Sequence, residues 1–223
     1  MKTNIIIFLF LLAPLIAKGD FSMRAIYGTD DRIDFYDMEY PWRDISSNVV
    51  ALISKDDLKY DSERRSYVFI SPRTLQKDQN YCSDERFAQQ IVKPYCSGIL
   101  LDESTVLTAG HCLMALRRDP QKDCKQMYIV RNFKMLEENY GKMHFDPSEV
   151  FECASVKKHT FNPQEKIDYS VINLNRRTEI EHPLKIDRTT PMLGQKVVVI
   201  GHPYGLPLKL SNNARIVASS ISS

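Results

Sequence analysis

The chain has 223 residues with 30 basic and 28 acidic side chains, and 43 % of it is hydrophobic, an ordinary globular composition that can bury a real core. Setting residues 1–19 aside removes Lys2 and Lys18 and no acid, which leaves 28 side chains of each sign. A balanced chain with scattered basic residues has no bulk attraction for nucleic acid or an anionic membrane, so neither is expected as a partner.

Taken in chain order, Lys2 precedes an apolar run from Ile5 to Ala17, and Ala17-Lys18-Gly19 carries small residues at alternate positions. That is the layout of a cleavable export signal over residues 1–19. The run is shorter than the roughly 20 apolar residues that span a bilayer. Secretion to an extracellular or periplasmic space, with no membrane attachment after signal removal, is the expectation. Residues 20–45 are polar and aromatic-rich and read as an extended strap or pro-segment rather than an independent domain.

From Val49 onward, short apolar runs alternate with turn-rich stretches. They are Val49 to Ile53, Tyr67 to Ile70, Gly98 to Leu101, Val106 to Thr108, Met127 to Val130, Val150 to Val156, Tyr169 to Leu174, Val197 to Ile200 and Arg215 to Ala218. Their length and their Val and Ile content predict strands. Helical periodicity is weak, and only Glu85 to Val92 and Asn132 to Tyr140 are predicted to make a helical turn or two. The expected class is all-β, a sandwich or barrel, because a lone antiparallel sheet would leave its apolar face and its edges in water.

The chemically informative segment runs from Cys96-Ser97-Gly98-Ile99-Leu100-Leu101 through a polar turn to Val106-Leu107-Thr108-Ala109-Gly110-His111-Cys112. It predicts a β-hairpin whose exit sets a histidine on a tight turn. The hairpin return brings Cys96 and Cys112 together, and a bridge between them would hold the backbone beside His111 rigid. An imidazole held there can take and return a proton near neutral pH. Its orienting partner is predicted to be Asp168, which opens the apolar run Tyr169-Ser170-Val171-Ile172-Asn173-Leu174 and so stands at the edge of the core.

The segments Cys-Ser-Gly, Thr-Ala-Gly-His-Cys and Asp-Tyr-Ser-Val-Ile-Asn-Leu resemble the histidine and aspartate motifs of trypsin-like serine endopeptidases. Tyr27-Gly28-Thr29-Asp30-Asp31-Arg32, Tyr40-Pro41-Trp42-Arg43 and Gly201-His202-Pro203-Tyr204-Gly205 are similar to the bacterial branch that includes glutamyl endopeptidases. The resemblance implies a chymotrypsin-like double six-stranded antiparallel β-barrel, with a first barrel over residues 46–180 and the start of a second, incomplete one over 181–223. It implies His111 as general base, Asp168 as its orienting acid, a protein or peptide substrate and no cofactor. In the family the nucleophilic serine sits in a Gly-x-Ser-Gly loop, and no glycine follows Gly205 here. The serine and its oxyanion hole are therefore expected beyond the end of this chain, which alone would be inactive. The rival reading is a secreted, non-catalytic protein that keeps the barrel as a binding module, and the oligomeric state stays open.

Five cysteines behind an export signal argue for disulfides. Cys124 and Cys153, flanking the Met127 to Val130 strand, are expected to form the second bridge and to leave Cys82 over. His159 lacks the Gly-His-Cys setting and is expected on the surface. No two histidines share metal-ligand spacing, so no metal is predicted.

Overall fold

A computed structural model describes residues 30–217; the predicted export signal and Ala218, at the end of the last predicted strand, lie outside the described residues. Strand β1 (Ile33–Asp34) and a short helix α1 (Trp42–Ile45) lead into β2 (Val49–Ser54). Every residue of β2 is buried, as its unbroken apolar run requires of a strand covered on both faces. Val50 and Leu52 pack with Leu100, Val106, Met127, Ile129, Phe151 and Ile172. Ala51 and Ile53 pack on the other side with Leu58, Phe69, Phe133 and Phe145.

Strands β3 (Leu58–Asp61) and β4 (Ser66–Phe69) form a hairpin, and β5 (Arg73–Thr74) pairs with β6 (Ile91–Val92) across helix α2 (Leu75–Gln79). The next hairpin joins β7 (Cys96–Asp102) to β8 (Thr105–Thr108). Its turn closes because Asp102 Oδ1 accepts the Ser104 backbone N–H at 2.8 Å, a local bond that an aspartate at this position supplies. Helix α3 (Pro120–Lys125) begins at Asp119, whose side chain accepts the N–H groups of Gln121 and Lys122 at 3.0 and 3.1 Å. It is followed by β9 (Met127–Val130), β10 (Met135–Glu137), β11 (Tyr140–Gly141), β12 (His144–Phe145), the long β13 (Val150–Asn162) and β14 (Ile167–Leu174).

Six of these strands close a barrel in the order β13-β14-β8-β7-β2-β9, every neighbouring pair antiparallel. Closure removes the open edges that a flat sheet would expose. The sheet β12-β4-β3 covers the outer cluster. The last strands, β15 (Lys196–Gly201) and β16 (Lys209–Arg215), form a separate sheet in the order β1-β16-β15. It packs through Leu208, Leu210 and Ile200 against Val49, Met38 and Trp42. The all-β class and the closed six-stranded barrel are as expected from the sequence.

Three expectations need correction. Asn132 to Tyr140 is not helical: β10 and β11 pair across it, and Asn132 and Asn139 adopt φ of 62° and 66°, a left-handed backbone that breaks a helix and suits a turn. Glu85 to Val92 is a run of turns ending in β6, with Phe87 at φ 64°. The last strand ends at Arg215 rather than starting there. Its polar run Lys209-Leu210-Ser211-Asn212-Asn213 pairs well because charged partners meet it. Buried Lys209 donates to Asp34 Oδ1 at 2.5 Å and Gln90 Oε1 at 2.7 Å, and Asp31 accepts from Ser211 Oγ at 2.6 Å. Within the lead segment, Asp34 and β1 are built into that sheet.

His202 is buried against the Phe133 ring, and its Nδ1 lies 3.0 Å from the Leu206 carbonyl. A carbonyl only accepts, so Nδ1 carries the proton. Burial drives the imidazole pKa down to about 4, opposed only in part by that hydrogen bond. The unfolded chain takes up a proton near pH 6.5 that the folded chain refuses until about pH 4. The stability tied to His202 is therefore full above pH 6.5 and is lost as the pH falls through that window, by on the order of 3 kcal/mol. Urea unfolding between about pH 7.5 and 4.5 is expected to show a steeper loss in the wild type than in His202→Gln; equal slopes would remove His202 as the cause.

Candidate active site

The ladder between β8 and β14 positions the site. Ser170 pairs with Thr108 and Val171 with Leu107. Continuing that register by two residues beyond Thr108 sets Asp168 opposite Gly110, one residue from His111. On its other side Asp168 pairs with Phe161 of β13, and Tyr169 pairs with Thr160. The Gly110–Met114 stretch is a 3-10 turn that directly follows Thr108 and Ala109, so the chain curls over the end of the β13–β14 hairpin.

Gly110 is required by that curl. A Cβ built there would stand 2.2 Å from the Thr160 carbonyl oxygen and 3.0 Å from Asp168 Oδ1, closer than any side chain tolerates. The turn is fixed at both ends. Cys112 is bonded to Cys96, with Cα atoms 6.1 Å apart, and Cys124 of α3 is bonded to Cys153 of β13 at 5.1 Å. Between these bridges, buried Asp123 accepts the backbone N–H groups of Leu116 and Arg117 at 2.9 and 2.6 Å, tying down the loop that leaves the histidine turn. Cys82 is a free, exposed cysteine.

His111 meets Asp168 twice. Its backbone N–H donates to Oδ1 at 2.8 Å, and its ring Nδ1 lies 2.6 Å from Oδ2. An ionised carboxylate only accepts, so Nδ1 bears the proton and Nε2 keeps its lone pair. The ring is half-exposed and touches the edge of Phe161, with centroids 6.3 Å apart. Partial burial raises the Asp168 pKa, but hydrogen bonds from the His111 ring, the His111 N–H and the Gly110 N–H outweigh it and hold the carboxyl below its ordinary value. Asp168 is thus held as an anion. The pair presents a fixed proton acceptor, Nε2, on the exposed side of a rigid turn.

The sulfur atoms of Cys96 and Cys112 and one ring nitrogen of His111 all lie within 4.8 Å of one another. Both sulfurs are spent in the disulfide, so the trio has no thiolate to offer a metal. His159 is not the surface residue expected: it is half-buried on β13, with Nδ1 2.8 Å from the Oγ of fully buried Ser170. Sequence reasoning did not single out Phe161, because only the β13–β14 register shows that it stands opposite Asp168. Ser97, read in the sequence only as part of the Cys-Ser-Gly motif, has a further contact: its Oγ accepts the His202 N–H at 2.8 Å and ties the second sheet to barrel strand β7.

A closed β-barrel with a bridged histidine turn bonded to a strand-end aspartate defines a chymotrypsin-like fold with a hydrogen-bonded His–Asp pair. A family model for trypsin matches residues 78–222, and the chain belongs to the trypsin family of serine proteases. It is 32 % identical over 109 residues to the platelet-aggregating proteinase PA-BJ of Bothrops jararaca, covering 48 % of this chain and 41 % of that protein. It is 29 % identical over 118 residues to snake venom serine protease 3 of Protobothrops jerdonii, covering 51 % and 41 %. To the kallikrein 1-related peptidase-like b4 of Mus musculus it is 28 % identical over 129 residues, covering 52 % and 46 %. The chain spans less than half the length of these relatives. Human heparin binding protein aligns structurally with a TM-score of 0.44 and 13 % identity, over 77 % of this chain and 61 % of that one.

The crowding at Gly110 gives a direct test. Gly110→Ala forces a methyl against the Thr160 carbonyl, and overpacking of this kind costs about 1 to 3 kcal/mol. A lower urea midpoint with an unchanged denaturant slope is the expected outcome; a variant as stable as the wild type would show that the turn is not packed as described.

Proposed function

We propose that the protein is a secreted serine endopeptidase that hydrolyses peptide bonds through an acyl-enzyme, with its nucleophilic serine beyond residue 223. His111 acts as general base and Asp168 as the carboxylate that orients it. The observation that carries this reading is the double hydrogen bond from His111 to Asp168. It leaves Nε2 as the acceptor for a hydroxyl proton, the arrangement that activates a serine.

In that reading the serine oxygen attacks the peptide carbonyl carbon while Nε2 takes its proton. The imidazolium, steadied by Asp168, returns the proton to the leaving amine as the C–N bond breaks. Water then repeats the cycle in place of the serine and releases the acid. The chemistry uses no cofactor, metal or nucleic acid. The substrate is a protein or peptide.

Export is supported by the sequence of residues 1–19, by two disulfides and by a relative whose name places it in venom. Among the described residues no helix is long and apolar enough to cross a membrane. The reading assigns residues 20–45 to a strap or pro-segment, 46–180 to the first barrel and 181–223 to the opening of the second. Tyr40-Pro41-Trp42-Arg43 and Gly201-His202-Pro203-Tyr204-Gly205 support placing it in the glutamyl-endopeptidase-like branch.

A serine-directed phosphonate probe tests where the serine lies. The 223-residue chain is expected to remain unlabelled, and a product whose frame continues into a Gly-x-Ser-Gly loop is expected to react. Labelling of the 223-residue chain would overturn the placement. In the reactive product Asp168→Asn is expected to lower kcat on the order of 10⁴-fold, as loss of the orienting carboxylate does in such triads. A loss under tenfold would remove Asp168 from the mechanism.

A further inference from the structure

Away from His111, a cavity of about 290 Å³ is lined by Asn132, Lys134, Leu136, Tyr140, Lys142, Met143 and His144. Leu136 of β10, Tyr140 of β11 and His144 of β12 stand in its wall, and the segments that flank the β10–β11 hairpin supply the rest. Two lysines face one space here, and their surroundings differ.

Lys142 is matched: its Nζ donates to Glu149 Oε1 at 2.6 Å. Glu149 accepts two further hydrogen bonds. Oε1 also accepts Asn132 Nδ2 at 2.7 Å, and Oε2 accepts the Asp146 N–H at 3.0 Å. The neighbouring arginines are engaged at their outer nitrogens, although the buried Nε of Arg131 has no partner among the described residues. Arg131 donates to Thr178 Oγ1 at 2.8 Å and to the Glu179 carbonyl at 3.0 Å, and Arg43 donates to the Tyr36 carbonyl at 2.7 Å.

Lys134 has no such match. Its ammonium sits 3.7 Å from the centre of the Phe35 ring, and no carboxylate or carbonyl among the described residues accepts a hydrogen bond from it. Burial, followed by repulsion from Lys142, pulls its pKa below the usual lysine value, and Glu149 offsets this only in part. Lys134 is thus repelled by Lys142, Arg131 and Arg43 and attracted by Glu149, whose carboxylate already holds Lys142. The hairpin acids Glu137 and Glu138 are exposed and do not line the cavity. A half-buried ammonium beside a cavity, held on one side by the Phe35 ring face and with no hydrogen-bond acceptor among the described residues, keeps N–H donors for an anion.

The walls select the kind of anion. Leu136, Met143 and Tyr140 give the space apolar and aromatic surface beside the charge. A bare inorganic ion would leave that surface in water, whereas an aromatic body would cover it. We propose that this cavity binds a small organic oxyanion, a sulfonate, sulfate ester or carboxylate on an aromatic body, with Lys134 Nζ as its main hydrogen-bond donor. The site is independent of the protease reading, since none of its residues touches His111 or Asp168.

Calorimetry on the 223-residue chain at fixed ionic strength tests the proposal with benzenesulfonate and its neutral isostere benzenesulfonamide. The sulfonate is expected to bind at least tenfold more tightly than the sulfonamide. Lys134→Met is expected to reduce the sulfonate to the affinity of the sulfonamide, and Lys158→Met, on exposed β13 backbone, is expected to change nothing. Equal affinity of the two probes for the wild type, absence of binding at millimolar sulfonate, or full sulfonate affinity in Lys134→Met would each overturn it. The wild-type comparison decides the question even if Lys134→Met does not fold.

Discussion

One carboxylate holds the site together. Asp168 accepts both the main-chain N–H and the ring Nδ1 of His111, so it fixes the position of the histidine backbone and the tautomer of its ring at once. Either bond alone would leave a degree of freedom: the backbone bond would let the ring turn, and the ring bond would let the loop drift. Charge-assisted bonds of this kind are short and directional. The carboxylate can serve both because Gly110 has no side chain to keep the histidine turn away from the β13–β14 hairpin.

The remaining structure delivers these two groups to each other. The β8–β14 register places Asp168 level with the turn, and barrel closure fixes that register, because slipping one residue would turn every inward side chain outward. The Cys96–Cys112 bridge lies in the turn itself, and Cys112, Cys124 and Cys153 are part of the main core. The shorter loop, with a sequence separation of 16, stabilises by about 3 kcal/mol in the chain-entropy picture. The second sheet is attached by polar contacts as well as apolar ones. The Lys209–Asp34 pair is buried, and burial lowers the lysine pKa to about 8 against the pull of Asp34. Such a pair adds little net stability but penalises any other pairing of β1 with β16, since a shifted register would strand a charge in the core.

Much of this was legible in the residues. Unbroken apolar runs such as Val49 to Ile53 read directly as buried strands, and the Cys96 to Cys112 hairpin announced both the bridge and the histidine turn. What the sequence hid has identifiable physical causes. The Asn132 to Tyr140 stretch has the spacing of a helix, and its left-handed asparagines decide the matter only once a paired hairpin exists. The Lys209 to Arg215 strand is too polar to declare itself, because its partners lie some 175 residues away at Asp34 and Asp31. Likewise His202 looked like any scattered histidine until Phe133 and the Leu206 carbonyl enclosed it. Phe161 depended on a register that no local pattern prints. Short-range signals were readable; long-range polar pairings were not.

The central claim is that Asp168 by itself sets the tautomer of the His111 ring. Nitrogen-15 NMR of the histidine rings near neutral pH measures this directly. The His111 ring should carry its proton on Nδ1, with a strongly downfield-shifted proton signal, and Asp168→Asn should abolish that signal. A His111 ring protonated on Nε2, or exchanging between tautomers as free imidazole does, would contradict it.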